Sequence, residues 1–285
     1  MTKLFRNAMT AGVLVAVLTM ASTPAYAEFL DFEVDESTIP GAFDVPVFIA
    51  DQLAGAYTEL IIIGAGTFDA YAFANFTAYR ANEGNDPVGS QITNPCTDGS
   101  PLCAIMNDPT FPLYTMYATF VASGSFTTVG DVTTFTGGSA SVALFVDPNQ
   151  DTTGTPGAPF TLAGTADDYM VLFADTLEFG KGVLDPPLLG AFDLLFSDPT
   201  LTSTGVPAGI ICPLCGTSLY PSLVGLVFKA EVDGDFDIFP VTPGEHIVTG
   251  QLSAQFIPEP ATLTLFGLGL LGSGYAVRRR RRAQQ

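Results

Sequence analysis

Along the middle of this chain apolar and polar side chains alternate at the two-residue period that places every second residue on one face of a strand. Tyr114, Met116, Ala118 and Phe120 share a face in the run from Tyr114 to Val121, and Val142, Leu144 and Val146 share one in Ser139 to Val146. Two more faces follow: Val224, Leu226, Phe228, Ala230 and Val232, then Val248, Leu252, Ala254 and Phe256. The run from Phe68 to Tyr79 fits a strand or a helix equally. No long segment carries a clean helical stripe, and the dominance of Phe, Tyr, Thr and Val favours strands. Thr133 to Phe135 precede Gly137-Gly138, a pair that reads as a hairpin turn. Loops rich in Asp, Pro, Gly and Thr, from Asn82 to Pro112 and from Asp147 to Pro159, separate the runs. Short strands with regular turn signals predict an all-β domain, an antiparallel β-sandwich, over residues 28–257, with 23 phenylalanines to fill its core.

Both ends break this pattern. Lys3 and Arg6 precede a short apolar run, Ala11 to Met20, and Ala25-Tyr26-Ala27 forms an A-x-A cleavage site. That layout predicts a secretory signal peptide over residues 1–27, exported by the Sec machinery and removed by signal peptidase after Ala27. At the other end, residues 258–285 begin with Pro258-Glu259-Pro260, continue with an uncharged stretch over 261–277 and reach a cluster of five arginines, Arg278, Arg279, Arg280, Arg281 and Arg282. At about 1.5 Å per residue, a helix over 261–277 reaches about 25 Å, enough for a thin bilayer. The arginines would stay on the cytoplasmic side, leaving the preceding domain outside the inner membrane. The two prolines keep the tripeptide extended and accessible to a processing enzyme.

Pro258-Glu259-Pro260, a Gly-rich apolar span and a terminal arginine cluster, in that order, resemble the PEP-CTERM sorting signal of Gram-negative bacteria. The resemblance implies processing by a membrane-embedded exosortase, a cysteine-dependent transpeptidase, with Pro258, Glu259 and Pro260 as its recognition residues. It also implies a transient inner-membrane intermediate and a final place at the cell surface or in the extracellular matrix. A plain single-pass anchor is the alternative for such a tail.

Charge sharpens the picture of the exported domain. Of 29 acidic residues only Glu259 lies outside residues 28–257, whereas of ten basic residues only Arg80, Lys181 and Lys229 lie inside. So anionic a surface repels nucleic acid and anionic lipid headgroups, and it attracts divalent cations. Solubility or adaptation to salt accounts for the same composition. The four cysteines, Cys96, Cys103, Cys212 and Cys215, are disulfide candidates in an oxidising compartment. Two local bridges, cross-pairing and a four-cysteine zinc site are all compatible with the spacing. The loop-forming Gly209, Pro213 and Gly216 around Cys212 and Cys215 argue against redox chemistry, which favours a helix start.

Candidate chemistry is sparse. His246 is the only histidine, and no nucleophile elbow, zinc-protease motif or phosphate loop is present. The chain is therefore expected not to be an enzyme. Two acidic runs are candidates for calcium. Asp233, Asp235 and Asp237 fall on one face if extended, and Asp147, Asn149 and Asp151 space oxygen ligands like the start of a calcium loop. The second run lacks the later glycine and glutamate of such a loop, and Asp and Asn are also ordinary turn residues.

Short landmarks spread over the domain are similar to the flocculation-associated PEP-CTERM proteins. They are Phe32 to Glu36, Ala81 to Gly84 with Pro87 to Gln91, Val146 to Thr153, Ala166 to Tyr169 and Gly234 to Asp237. The resemblance implies a non-enzymatic role in cohesion of flocs or biofilm through exopolysaccharide. The four cysteines belong to no pattern of that family. A secreted glycan-binding module with a defined ligand is the runner-up, and a secreted hydrolase a distant third.

Overall fold

The computed structural model describes residues 29–92, 114–186, 190–201 and 218–258. The expected signal peptide with Ala25 and Ala27, the four cysteines, and the tail from Glu259 through the expected span 261–277 to Arg282 lie outside the described residues. Among the described residues no helix is long and apolar enough to cross a membrane.

Apart from two 3-10 turns, every regular element described is a strand. A short antiparallel pair, β1 (Phe32–Val34) with β2 (Phe48–Ala50), precedes the long strands β3 (Gln52–Ile63) and β4 (Thr67–Ala81). The small strand β5 (Asp86–Val88) turns back on the end of β4. The hairpin β6 (Thr115–Val129) and β7 (Val132–Asp147) follows, then the two-stranded flap β8 (Thr153–Thr155) and β9 (Thr161–Ala163). The chain ends with β10 (Tyr169–Ala174), β11 (Thr176–Leu184), β12 (Gly190–Ser197), β13 (Thr200–Leu201), β14 (Phe228–Phe236) and β15 (Gly244–Pro258).

Eight of these strands close on themselves. The hydrogen-bonded order runs β11-β12-β14-β15-β3-β4-β6-β7, and β7 pairs back onto β11 through Lys181 with Thr136, Gly182 with Phe135 and Val183 with Thr134. All these pairings are antiparallel. The expected sandwich is thus corrected to a single sheet closed as an eight-stranded β-barrel. Closure removes the free edges that two open sheets would have left.

Local expectations fare unevenly. Phe68–Tyr79 is strand throughout, inside β4, because Ala70, Ala72, Ala74 and Phe76 meet the interior at period two. Gly137-Gly138 is not a hairpin turn. The turn lies at Gly130 and Asp131, with Gly130 at φ +64°, and the glycine pair sits mid-strand in β7. There the register with β6 skips a residue between Ser123–Ser139 and Gly124–Gly137, a bulge of the kind that helps a sheet curl. A Cβ on Gly137 would lie 3.0 Å from Leu177 and 3.3 Å from the backbone of Gly180, so the close approach of β7 and β11 demands a residue without one. Val224 and Leu226 also depart from the sequence reading. They lie exposed before β14, whose buried face begins at Phe228.

The interior fills from both ends. At one end Phe32 from the N-terminal segment packs edge-on against Tyr220 and Phe256, with ring centroids 5.3 and 4.9 Å away. Buried Glu36 secures this cap, accepting hydrogen bonds from the Gln91 backbone N–H (2.7 Å), the Gln91 amide (3.1 Å) and the Tyr114 hydroxyl (2.7 Å). At the other end Phe68, Phe126, Phe236 and Phe239 surround Phe135. Between these aromatic plugs the wall turns to small residues, and a cavity remains.

Candidate functional site

The cavity lies inside the barrel and has a volume of about 90 Å³. Its room comes from inward-facing positions occupied by small residues, among them Ala70 and Ala72 of β4, Ala122 of β6, Ala140 of β7 and Gly180 and Gly182 of β11. Aromatic rings complete much of the rest: Tyr57, Phe68, Phe120, Phe135, Phe192 and Phe236. Tyr57 is anchored by its hydroxyl, which donates to the Asp235 backbone carbonyl at 2.8 Å.

One carboxyl group faces this apolar space. Glu59 follows Tyr57 and precedes Ile61 on the inward phase of β3, and its register partners are Val248 on β15 and Ala72 on β4, both buried and apolar. It keeps part of its surface exposed and is one of the residues that line the cavity. Burial alone raises its pKa from 4.5 to about 7. No hydrogen-bond donor among the described residues compensates it, and the only other ionisable residues lining the cavity are Tyr57 and Lys181. The sequence reading missed Glu59. Its signal was present: an acid standing in the buried phase of the run Tyr57-Thr58-Glu59-Leu60-Ile61.

The wall beside the cavity is incompletely laddered. The strand β7 divides its outer edge, pairing Val142 to Val146 with β10 and Thr133 to Thr136 with β11. Between these stretches Gly137 to Ser141 have no register partner on the facing segment Asp175 to Gly180. Gly137, Ser139, Ala140, Leu177 and Gly180, which flank that interruption, also line the cavity.

The residues singled out as calcium candidates are placed differently. Asp233 and Asp235 lie on the outer side of β14, as alternation predicts, and Asp237 follows directly after its end, but each is engaged separately. Ser253 donates its hydroxyl to Asp233, the Gln251 N–H donates to Asp235 at 2.7 Å, and the Thr249 hydroxyl donates to Asp237 at 2.5 Å. Carboxylates two residues apart on a strand fan out along it rather than converge. Asp147 is buried and organises its own loop, accepting from the N–H groups of Gln150 (2.7 Å) and Thr152 (3.0 Å) and from the Thr115 hydroxyl (3.2 Å). Asn149 accepts from the Asp151 N–H at 3.2 Å. These are the contacts of turn residues. Among the described residues no three acidic, histidine or cysteine side chains gather in a metal-binding arrangement.

Other acids from the sequence landmarks also serve the framework. Asp168 accepts from the Tyr117 hydroxyl (2.6 Å) and the Thr152 hydroxyl (2.7 Å), tying the flap to the outer wall over the stacked rings of Tyr117 and Phe145. Asp51, also unrecognised in sequence, accepts from Glu83 and Gly84 N–H groups and fixes the turn after β4. On the outer wall, burial raises the pKa values of both Asp193 and Glu231, and the nearby Asp233 adds to each. His246 sits by the Thr242 carbonyl at 2.8 Å and against the Phe239 ring.

Only the start of the sorting tail is described. Phe256 is buried in the core, and Pro258, paired with Phe228, is the last residue of β15. The tail therefore departs directly from a wall strand. Neither the curated proteins nor the solved structures include a match to this chain. A family model does match at the C-terminal end: residues 256–282 carry the PEP-CTERM protein-sorting motif, which implies exosortase-dependent export to the cell surface or matrix.

Proposed function

We propose that this protein is a non-enzymatic component of the extracellular matrix that promotes cohesion of flocs or biofilm by associating with exopolysaccharide. The observation that carries this reading is the sorting motif at residues 256–282, joined without a linker to a barrel strand. A domain delivered in this way ends its route among surface polymers. Its exterior supports the reading too. Acids far outnumber bases in the exported domain, and the single ion pair among the described residues, Lys229 with Glu178, leaves most of that charge uncompensated. Such a surface stays hydrated and dispersed, and it can share bridging cations with anionic polymers.

The test is deletion of the gene in its own organism. Aggregation is expected to fall while exopolysaccharide is still produced, and the full-length gene should restore it. Unchanged settling and biofilm cohesion in the deletion strain would refute the matrix role.

A further inference from the structure

We propose that the barrel interior is a binding site for a small alkylammonium ion, with Glu59 as its counter-charge inside an aromatic wall. Three independent observations meet there. Glu59 stands on the inward phase of β3, lines the cavity and has no hydrogen-bond donor among the described residues. Six aromatic side chains line the same space. The ladder between β7 and the β10–β11 segment is interrupted beside it, the weakest stretch of the surrounding wall.

The chemistry of the wall selects the occupant. An anion is excluded by Glu59. A metal ion would need several oxygen or nitrogen ligands, and the lining offers one carboxylate. Water needs two to four polar partners to be held in place, whereas the lining is overwhelmingly apolar. An organic ammonium ion satisfies both features at once. Its charge compensates the carboxylate, and its methyl groups are attracted to aromatic rings by cation–π interaction.

Size narrows the class further. A volume of about 90 Å³ corresponds to about three water molecules at roughly 30 Å³ each. Sugars, nucleotides and lipid tails are too large, while ions from methylammonium to tetramethylammonium are of the right order. Entry there would require the Leu177 side chain, which lies against both Gly137 and Gly180, to swing aside.

The ionisation of Glu59 gives the site a pH signature. Tyr57 on the same strand and Lys181 on β11 are the only other titratable groups lining the cavity. The parts of β4, β6, β7, β12, β14 and β15 that line it contribute none. With the carboxyl raised to about 7 by burial, the ionised fraction grows about tenfold between about pH 6 and pH 8. Affinity for a permanently charged cation should grow in proportion.

Titration calorimetry of the full exported protein with tetramethylammonium, which does not titrate, tests this directly. Binding at pH 8 is expected, weakening about tenfold at pH 6, with tert-butanol of similar shape binding far more weakly. Glu59→Gln should abolish the binding and its pH dependence, and Ala72→Leu, which fills the cavity and keeps the carboxyl, should abolish it too. Absence of binding by the folded wild-type protein at pH 8 would overturn the proposal. So would equal affinity in Glu59→Gln, or equal affinity for tert-butanol.

Discussion

Replacing Glu59 by glutamine preserves the size of the side chain and removes its ability to ionise, so the substitution isolates the cost of a charge inside the barrel. The carboxyl is raised from 4.5 to about 7 by burial. At about 1.4 kcal/mol for each factor of ten, ionising it inside the barrel costs about 3 kcal/mol more than in the unfolded chain. The sign follows from proton binding. Between the two values the folded protein holds a proton that the unfolded chain has released. Stability from this group therefore falls as pH rises through that window, and levels off above it. Glutamine is neutral throughout. Its amide adds a constant offset, and the stability difference between variant and wild type should move in favour of the variant by about 3 kcal/mol from about pH 4 to about pH 8. For a domain of this size that is about 6–12 °C in Tm. Glu36, Asp168 and Glu231 are also raised by burial, and their effect is common to both proteins and cancels in the difference. Urea and thermal unfolding followed by circular dichroism across the pH range measure it. A difference that stays flat with pH would refute the claim that the barrel wall raises the Glu59 carboxyl by burial without a compensating partner.

Glu36→Ala should leave the Gln91 N–H, the Gln91 amide and the Tyr114 hydroxyl without their acceptor. The expected loss is about 2–4 kcal/mol, read by urea unfolding, together with faster proteolysis of the N-terminal segment that Glu36 anchors. Gly137→Val places branched carbon where a Cβ alone would already meet Leu177 at 3.0 Å. It should cost about 1–3 kcal/mol, whereas Gly130→Asn, at a positive-φ turn position with open space around it, should be tolerated within about 1 kcal/mol. Thermal unfolding of the two variants side by side checks the contrast.

Much of this molecule was set locally. The two-residue period predicted strand for β6, β7 and β15 and placed Met116, Val142, Leu144, Val248 and Phe256 on the buried face, because alternation depends only on backbone geometry. The sorting motif was also legible, since a processing enzyme reads it as a short linear signal. Closure was not legible. A strand with one buried face looks the same in a sandwich and in a barrel, and the difference rests on the pairing of Lys181 to Leu184 with Thr136 to Thr133, far apart in the chain. The same nonlocality hid the meaning of single residues. Gly137-Gly138 carries turn chemistry, yet long pairings on both sides hold it inside a strand, where its lack of side chains serves a bulge and a close approach. Asp147 and Asp233 look like ligands in sequence, and nearby N–H and hydroxyl groups engage them instead. Glu59 could be assigned to an inward phase from sequence. That small residues from four other strands leave a space around it depends on registers set across the whole sheet, which only the folded barrel fixes.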